Sequence, residues 1–142
     1  MKTKKYFLIL LLIFSCNSYK SLNVKPIFRY VDLYSYGKFE LGDDIKKINS
    51  LIDIVNKRIF LKKNVFGGAE SIEIILNSKE KISSIVFKYS SETNLQEEIK
   101  DYHYLGDPEI IGETAKWNDG NTAFELYKEN DFVYSKMTDL KK

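Results

Sequence analysis

One cysteine and one histidine in 142 residues leave little room for chemistry. A lone thiol cannot close a disulfide within the chain or build a Cys-rich zinc site. A lone imidazole, His103, offers no second His for a metal. As a catalytic base it would need a nucleophile and an orienting carboxylate. No Gly-rich phosphate loop, no Gly-x-Ser-x-Gly elbow and no His-Glu-x-x-His helix is present; Gly67-Gly68 lacks the Lys-Ser/Thr that completes a P-loop. Charge of one sign is missing too: 22 Lys+Arg stand against 20 Asp+Glu. Lys62-Lys63 and Lys141-Lys142 are short, and the other lysines are interleaved with acids, so no nucleic-acid partner is expected. What the chain does have is 44% hydrophobic and 14% aromatic residues, enough for the core of one domain.

A long hydrophobic run is also lacking. Tyr6 to Phe14 is apolar or aromatic, preceded by Lys2, Lys4 and Lys5. Nine helical residues span about 14 Å, under half the hydrocarbon core, so the segment reads as an export leader over residues 1–15 and not as a membrane span. The next residues specify the kind of leader. Ile13-Phe14-Ser15-Cys16 resembles a bacterial lipobox, with an aliphatic residue at −3, a small residue at −1 and Cys at +1. Phe14 at −2 departs from the commonest form and is similar to lipoproteins of the Bacteroidetes type. The resemblance implies cleavage before Cys16, diacylglycerol on its thiol and a fatty acid on the new amine. Acyl chains of that number hold a protein at a membrane essentially permanently, at about 0.8 kcal/mol per buried CH₂. Cys16 is therefore expected to be an anchor and not a catalytic thiol. Asn17 at +2 does not resemble the Asp of an inner-membrane retention signal, and the residues after it lack the acidic cluster that resembles a surface-export signal; together the resemblance implies the periplasmic leaflet of the outer membrane. Without residues 1–15 the chain keeps 19 Lys+Arg against 20 Asp+Glu, so the slight basicity belongs to the leader.

Residues 16–27 are polar with little periodicity and contain Pro26, which reads as a lipid-anchored tether of at most about 35 Å. Residues 28–142 then form a single α+β domain. Asp43 suits a helix N-cap, and Ile45, Ile48, Ile52 and Val55 make one helical stripe, widened by Leu51 and Ile54. A second helix is expected from Thr93, with Gln96 completing a capping box; Leu95, Ile99 and Tyr102 form its apolar stripe, Gly106 its C-cap region and Pro108 its stop. Strand signals follow each helix, at 59–65, 69–76 and 82–89, then at 113–117, 122–128 and 132–137. An offset of about 51–52 residues superposes the halves, placing Gly68 over Gly120, Glu73 over Glu125 and Ile74 over Leu126. The expected product is a curved antiparallel sheet of about six strands, with two helices on one face and a tandem helix-plus-three-strand repeat.

Leu41-Gly42-Asp43-Asp44-Ile45 before a helix and Leu105-Gly106-Asp107-Pro108 after one resemble the punctuation of SmpA/BamE-like and β-lactamase-inhibitor-protein-like domains. Trp117-Asn118-Asp119-Gly120 before an alternating strand is similar to a Trp-containing hairpin of those families. Lys57-Arg58 stands where a second Leu-Gly-x-Pro would be expected, which departs from the pattern. The resemblance implies a small envelope domain working by protein–protein contact, commonly through a sheet face.

The acidic pairs Asp43-Asp44, Glu97-Glu98 and Glu70/Glu73 fit a helix first turn, a polar helix side and opposite strand faces. Asn118-Asp119-Gly120-Asn121 lacks the alternating ligands and distal Glu of a calcium loop. No metal, cofactor or enzymatic activity is expected. Trp117 and Tyr127 alternate out of phase with Phe124 and Leu126, which would set an aromatic pair on a solvent face suited to contact another protein. The sequence thus points to a non-enzymatic, lipid-anchored periplasmic domain that binds an envelope protein. The alternative is a small-ligand-binding lipoprotein with a Tyr-lined pocket between helices and sheet.

Overall fold

Alternation of apolar and polar residues is strongest in the second half of the chain, and that alternation builds the sheet. The computed structural model describes residues 24–33, 36–47, 54–65 and 68–141. β1 (Tyr30–Leu33) and β2 (Gly37–Glu40) form a two-stranded hairpin. β3 (Arg58–Val65), β4 (Ala69–Leu76) and β5 (Ile82–Lys88) form a meander, followed by helix α1 (Leu95–Asp101) and a 3₁₀ turn at His103–Leu105. β6 (Glu109–Ile111), β7 (Thr114–Asn118), β8 (Thr122–Glu129) and β9 (Phe132–Asp139) form a second meander. The meanders join through β5 and β9 into one antiparallel sheet of order β3-β4-β5-β9-β8-β7-β6.

Register carries the alternation across the whole sheet. One inward row runs Ile59, Ile74, Ile85, Met137, Phe124 and Trp117 over six strands. All six side chains are essentially inaccessible to solvent. A parallel row runs Leu61, Ile72, Phe87, Ser135, Leu126 and Ala115. The outward rows are polar: Glu73, Val86, Lys136, Glu125 and Lys116 lie side by side. This is the half-buried antiparallel pattern, with one apolar and one polar face.

The inward face is covered by chain from both sides of the meanders. Ile27, Val31, Leu33, Phe39, Leu41 and Ile45 come from the N-terminal third. Leu95 and Leu105 come from α1 and the 3₁₀ turn. The N-terminal segment is held by polar bonds as well as by burial. The Lys25 N–H donates to the Leu105 carbonyl at 2.9 Å, and the Ile27 N–H to Asp119 Oδ2 at 2.8 Å. Arg29 donates to the Leu41 and Asn121 carbonyls and to Thr122 Oγ1, and pairs with Asp139 at 2.7 Å. Among the described residues, Val24 and Ile27 already pack against the core.

The two-helix, six-strand α+β expectation is corrected. Among the described residues there is one α-helix, and the architecture is mostly β, with a seven-stranded sheet and a separate hairpin. At the expected start of the first helix the chain forms a 3₁₀ turn, Ile45–Lys47; Ile48, Leu51 and Ile52 lie outside the described residues. Two interactions compete with a helix there. Gly42 and Ile45 donate to the Ile82 and Glu80 carbonyls, and the Ile82 N–H returns to Asp43, so this stretch is bound to the entry of β5. At the other end, Val55 and Arg58 exchange backbone hydrogen bonds around Asn56-Lys57, both with positive φ, which is the tight hairpin geometry. Val55 is then 57% exposed, not part of a buried stripe. Val55 is β-branched and favours the extended bridge it makes with Arg58 over a helical position.

Candidate functional site

α1 begins at Asn94, one residue after the expected cap, with the Asn94 side chain accepting the Gln96 N–H at 2.9 Å. Its seven residues direct Leu95 and Ile99 into the core, and Tyr102 at the C-cap continues that stripe. The Tyr102 ring reaches Phe124 on β8, with centroids 4.6 Å apart. Phe28 meets the same Phe124 ring from the N-terminal segment at 5.4 Å, and Trp117 meets it from β7 at 5.6 Å. Trp117 also donates Nε1–H to the Gly106 carbonyl at 2.8 Å, tying the chain after α1 to the sheet. Such tilted aromatic contacts contribute beyond the area they bury.

This cluster does not fill the space between the layers. A cleft of about 430 Å³ remains, within the range of small-molecule sites. Tyr30 and Asp32 of β1 border one side, and Glu98, Tyr102 and Tyr104 border the other. Phe87, Tyr89, Phe124 and Ser135 belong to the sheet side. Ser135 is a hydroxyl in an otherwise apolar inward row, 2% exposed, and it lies 3.2 Å from the Tyr89 hydroxyl.

The cleft's electrostatics are one-sided. Among the described residues, the charged ones lining it are Asp32 and Glu98. Among the described residues no Lys or Arg lies within salt-bridge distance of either carboxylate. Burial, then the nearby Asp101 and Glu97 charges, raise the Glu98 carboxyl above its ordinary pKa. Burial likewise pushes the Tyr89 and Tyr102 phenols up, and the Glu98 charge adds to both shifts, so these hydroxyls stay protonated donors. Lys38 lies 4.0 Å over the Tyr30 ring and is paired with Glu40 at 2.9 Å.

The residues singled out in the sequence separate in space. Cys16 and its lipobox lie outside the described residues. Trp117 and Tyr127 fall on opposite faces of the sheet, because Trp117 pairs with Phe124 in the inward row whereas Tyr127 pairs with Thr114 on the outward one. Trp117 is 0% exposed, which corrects its placement on a solvent face. An odd-numbered Trp and even-numbered Phe share that face because the antiparallel register between β7 and β8 brings them together; alternation along each strand does not carry across the turn. Tyr127 does lie on the outward face, stacked on Tyr134 at 5.3 Å.

His103 is exposed, its Nδ1 2.6 Å from the Lys100 carbonyl, and it does not line the cleft. Asp44 caps the Lys46 N–H, and Glu73 pairs with Arg58 at 2.6 Å. Among the described residues no cluster of His, Cys, Asp or Glu could hold a metal ion. No described helix is long and apolar enough to cross a membrane.

Sequence reasoning missed Glu98, Tyr89 and Ser135 as cleft residues. A usable signal existed for Glu98. It precedes Tyr102 by four residues, one helical turn, so the carboxylate sits beside the apolar stripe and not opposite it. No protein-family model, curated protein or solved structure matches the chain.

Proposed function

We propose that this chain is a lipid-anchored domain of the bacterial cell envelope that works by binding, and that its binding site is the tyrosine-lined cleft. The observation carrying the site is a cleft of about 430 Å³ bounded by α1, β1 and the apolar face of the sheet. Such a space, apolar in its walls with a few convergent polar groups, has the make-up of a small-molecule site. The sheet side is built on regular strands and Tyr102 is fixed by Phe124, so the walls are preorganised. The anchor rests on the only Cys of the chain standing at the end of the apolar leader run. The periplasmic leaflet of the outer membrane is the proposed location.

The cleft takes precedence over the protein-contact surface because Trp117 is buried and so leaves that surface. A protein partner remains a second reading, favoured by the outward face, where Tyr127 stacks on Tyr134. Two experiments test the proposal. Cys16→Ser should abolish fatty-acid labelling and release the domain from membranes; unchanged labelling would refute the anchor. The full-length chain in detergent should bind small aromatic probes with a change in tyrosine and tryptophan emission. If no such probe binds, whatever its charge, the cleft is not the site.

A further inference from the structure

The cleft combines three properties that seldom coincide by packing alone. Its walls include aromatic rings from separate elements: Phe28 from the N-terminal segment, Tyr30 from β1, and Tyr102 and Tyr104 from the helical segment. Among the described residues its charged lining is acidic, through Asp32 and Glu98. Neither carboxylate is ion-paired among the described residues. Glu98, on α1, borders the same cleft as Tyr89 and Tyr102.

These properties select among ligand charges. An anion would meet two like charges in a half-enclosed site. A neutral apolar molecule would fill the space but leave the half-buried Glu98 charge uncompensated. A weakly hydrated cation satisfies both demands, since aromatic faces attract it through their quadrupoles and the carboxylate neutralises it. Tyr30 already shows this capacity, holding the Lys38 ammonium 4.0 Å from its ring centroid.

We propose that the cleft takes an organic ammonium ion on an apolar body, with the cationic centre beside Glu98 and the body against the Tyr102 and Phe28 rings. This rests on the reading of the cleft as the binding site. The expected discrimination is about tenfold in affinity, the size of one good cation–π or charge contact in a partly desolvated site.

Three probes of similar size separate the alternatives: benzyltrimethylammonium, neutral N,N-dimethylbenzamide and anionic phenylacetate. Each is dialysed to equilibrium against the full-length chain in detergent, with protein-free micelles as the blank. Benzyltrimethylammonium should bind about tenfold more tightly than the neutral probe, and phenylacetate more weakly than both. Glu98→Gln, at a helix position that leaves the core untouched, should erase the preference for the cation while N,N-dimethylbenzamide binds as before. Tyr102→Phe keeps the ring and should keep the preference. Equal binding of all three probes, preferred binding of phenylacetate, or an unchanged preference in Glu98→Gln would overturn the ammonium assignment and leave the cleft as a binding site. Failure of every probe would instead remove the cleft itself.

Discussion

The two faces of the seven-stranded sheet are written by the same strands yet solve opposite problems. The outward face completes itself. Lys116 pairs with Glu125 at 3.0 Å and Arg58 with Glu73 at 2.6 Å, while Lys88 lies 3.5 Å over the Phe132 ring. Long charged side chains lie along their neighbours, and Val86 among them is buried. The inward face has no such option, because its rows are almost wholly apolar and need other chain to cover them. That cover is assembled from pieces: an N-terminal segment, a hairpin, a 3₁₀ turn and a seven-residue helix. Pieces join less completely than a continuous layer, and the cleft lies where β1 and α1 leave the sheet partly open. Room for a ligand is thus a property of the cover, and the sheet supplies the rigid wall.

Substitutions on the two faces should differ most where the comparison is sharpest. Trp117→Ala removes a fully buried indole and its bond to the Gly106 carbonyl, and should cost about 3–5 kcal/mol in urea unfolding. A loss as small as that of an outward-face substitution would break the comparison. Arg29→Met tests the cover, because that guanidinium joins the Leu41 carbonyl to Asn121, Thr122 and Asp139. A loss of about 2 kcal/mol is expected, less than for a fully buried pair because both partners keep some solvent access. The unfolding midpoint of the variant checks it.

Acid should loosen the cover before it reaches the sheet. Burial alone would raise the Asp119 carboxyl, but the N–H groups of Ile27, Asn121 and Thr122 and the Arg29 charge outweigh it, holding the pKa below the ordinary 3.8. Because the folded pKa is depressed, the stabilisation is complete above the ordinary value and disappears as pH falls through the folded one. Hydrogen exchange at the Ile27 amide, corrected for intrinsic rates, should lose protection in that window. Asp119→Asn should remove the pH dependence. The smallest effects belong to the outward face: Tyr127→Ala and Lys116→Ala should each change unfolding by under about 1 kcal/mol. A larger loss at Tyr127 would mean that its stack on Tyr134 holds the sheet together.

The sequence disclosed the sheet more readily than its cover, for reasons visible in particular residues. Ile72, Ile74 and Leu76, and Phe124 with Leu126, alternate at the strand period, and Asn130-Asp131 supplies the two positive-φ residues of the β8–β9 turn. Both signals are local. The cover is not local: whether residues 42–45 join a helix or the entry of β5 depends on Ile82 and Glu80, nearly forty residues away. The spacing of Ile45, Ile48, Ile52 and Val55 contains no trace of that competition. The cleft was legible only in part. A Tyr-lined space beside a helix was expected, but its acid was assigned to a polar helix side. Trp117 was misread for a related reason, since phase carries along a strand, whereas facing across a hairpin depends on register.

One titration compares the two faces within a single molecule, since each carries a tyrosine pair beside carboxylates. Residue-resolved NMR of the full-length chain in detergent, titrated with benzyltrimethylammonium, should shift the resonances of Tyr89, Glu98, Tyr102 and Ser135 together while Tyr127 and Tyr134 stay in place. Shifts centred on Tyr127 and Tyr134, or none at any of the six residues, would contradict the account.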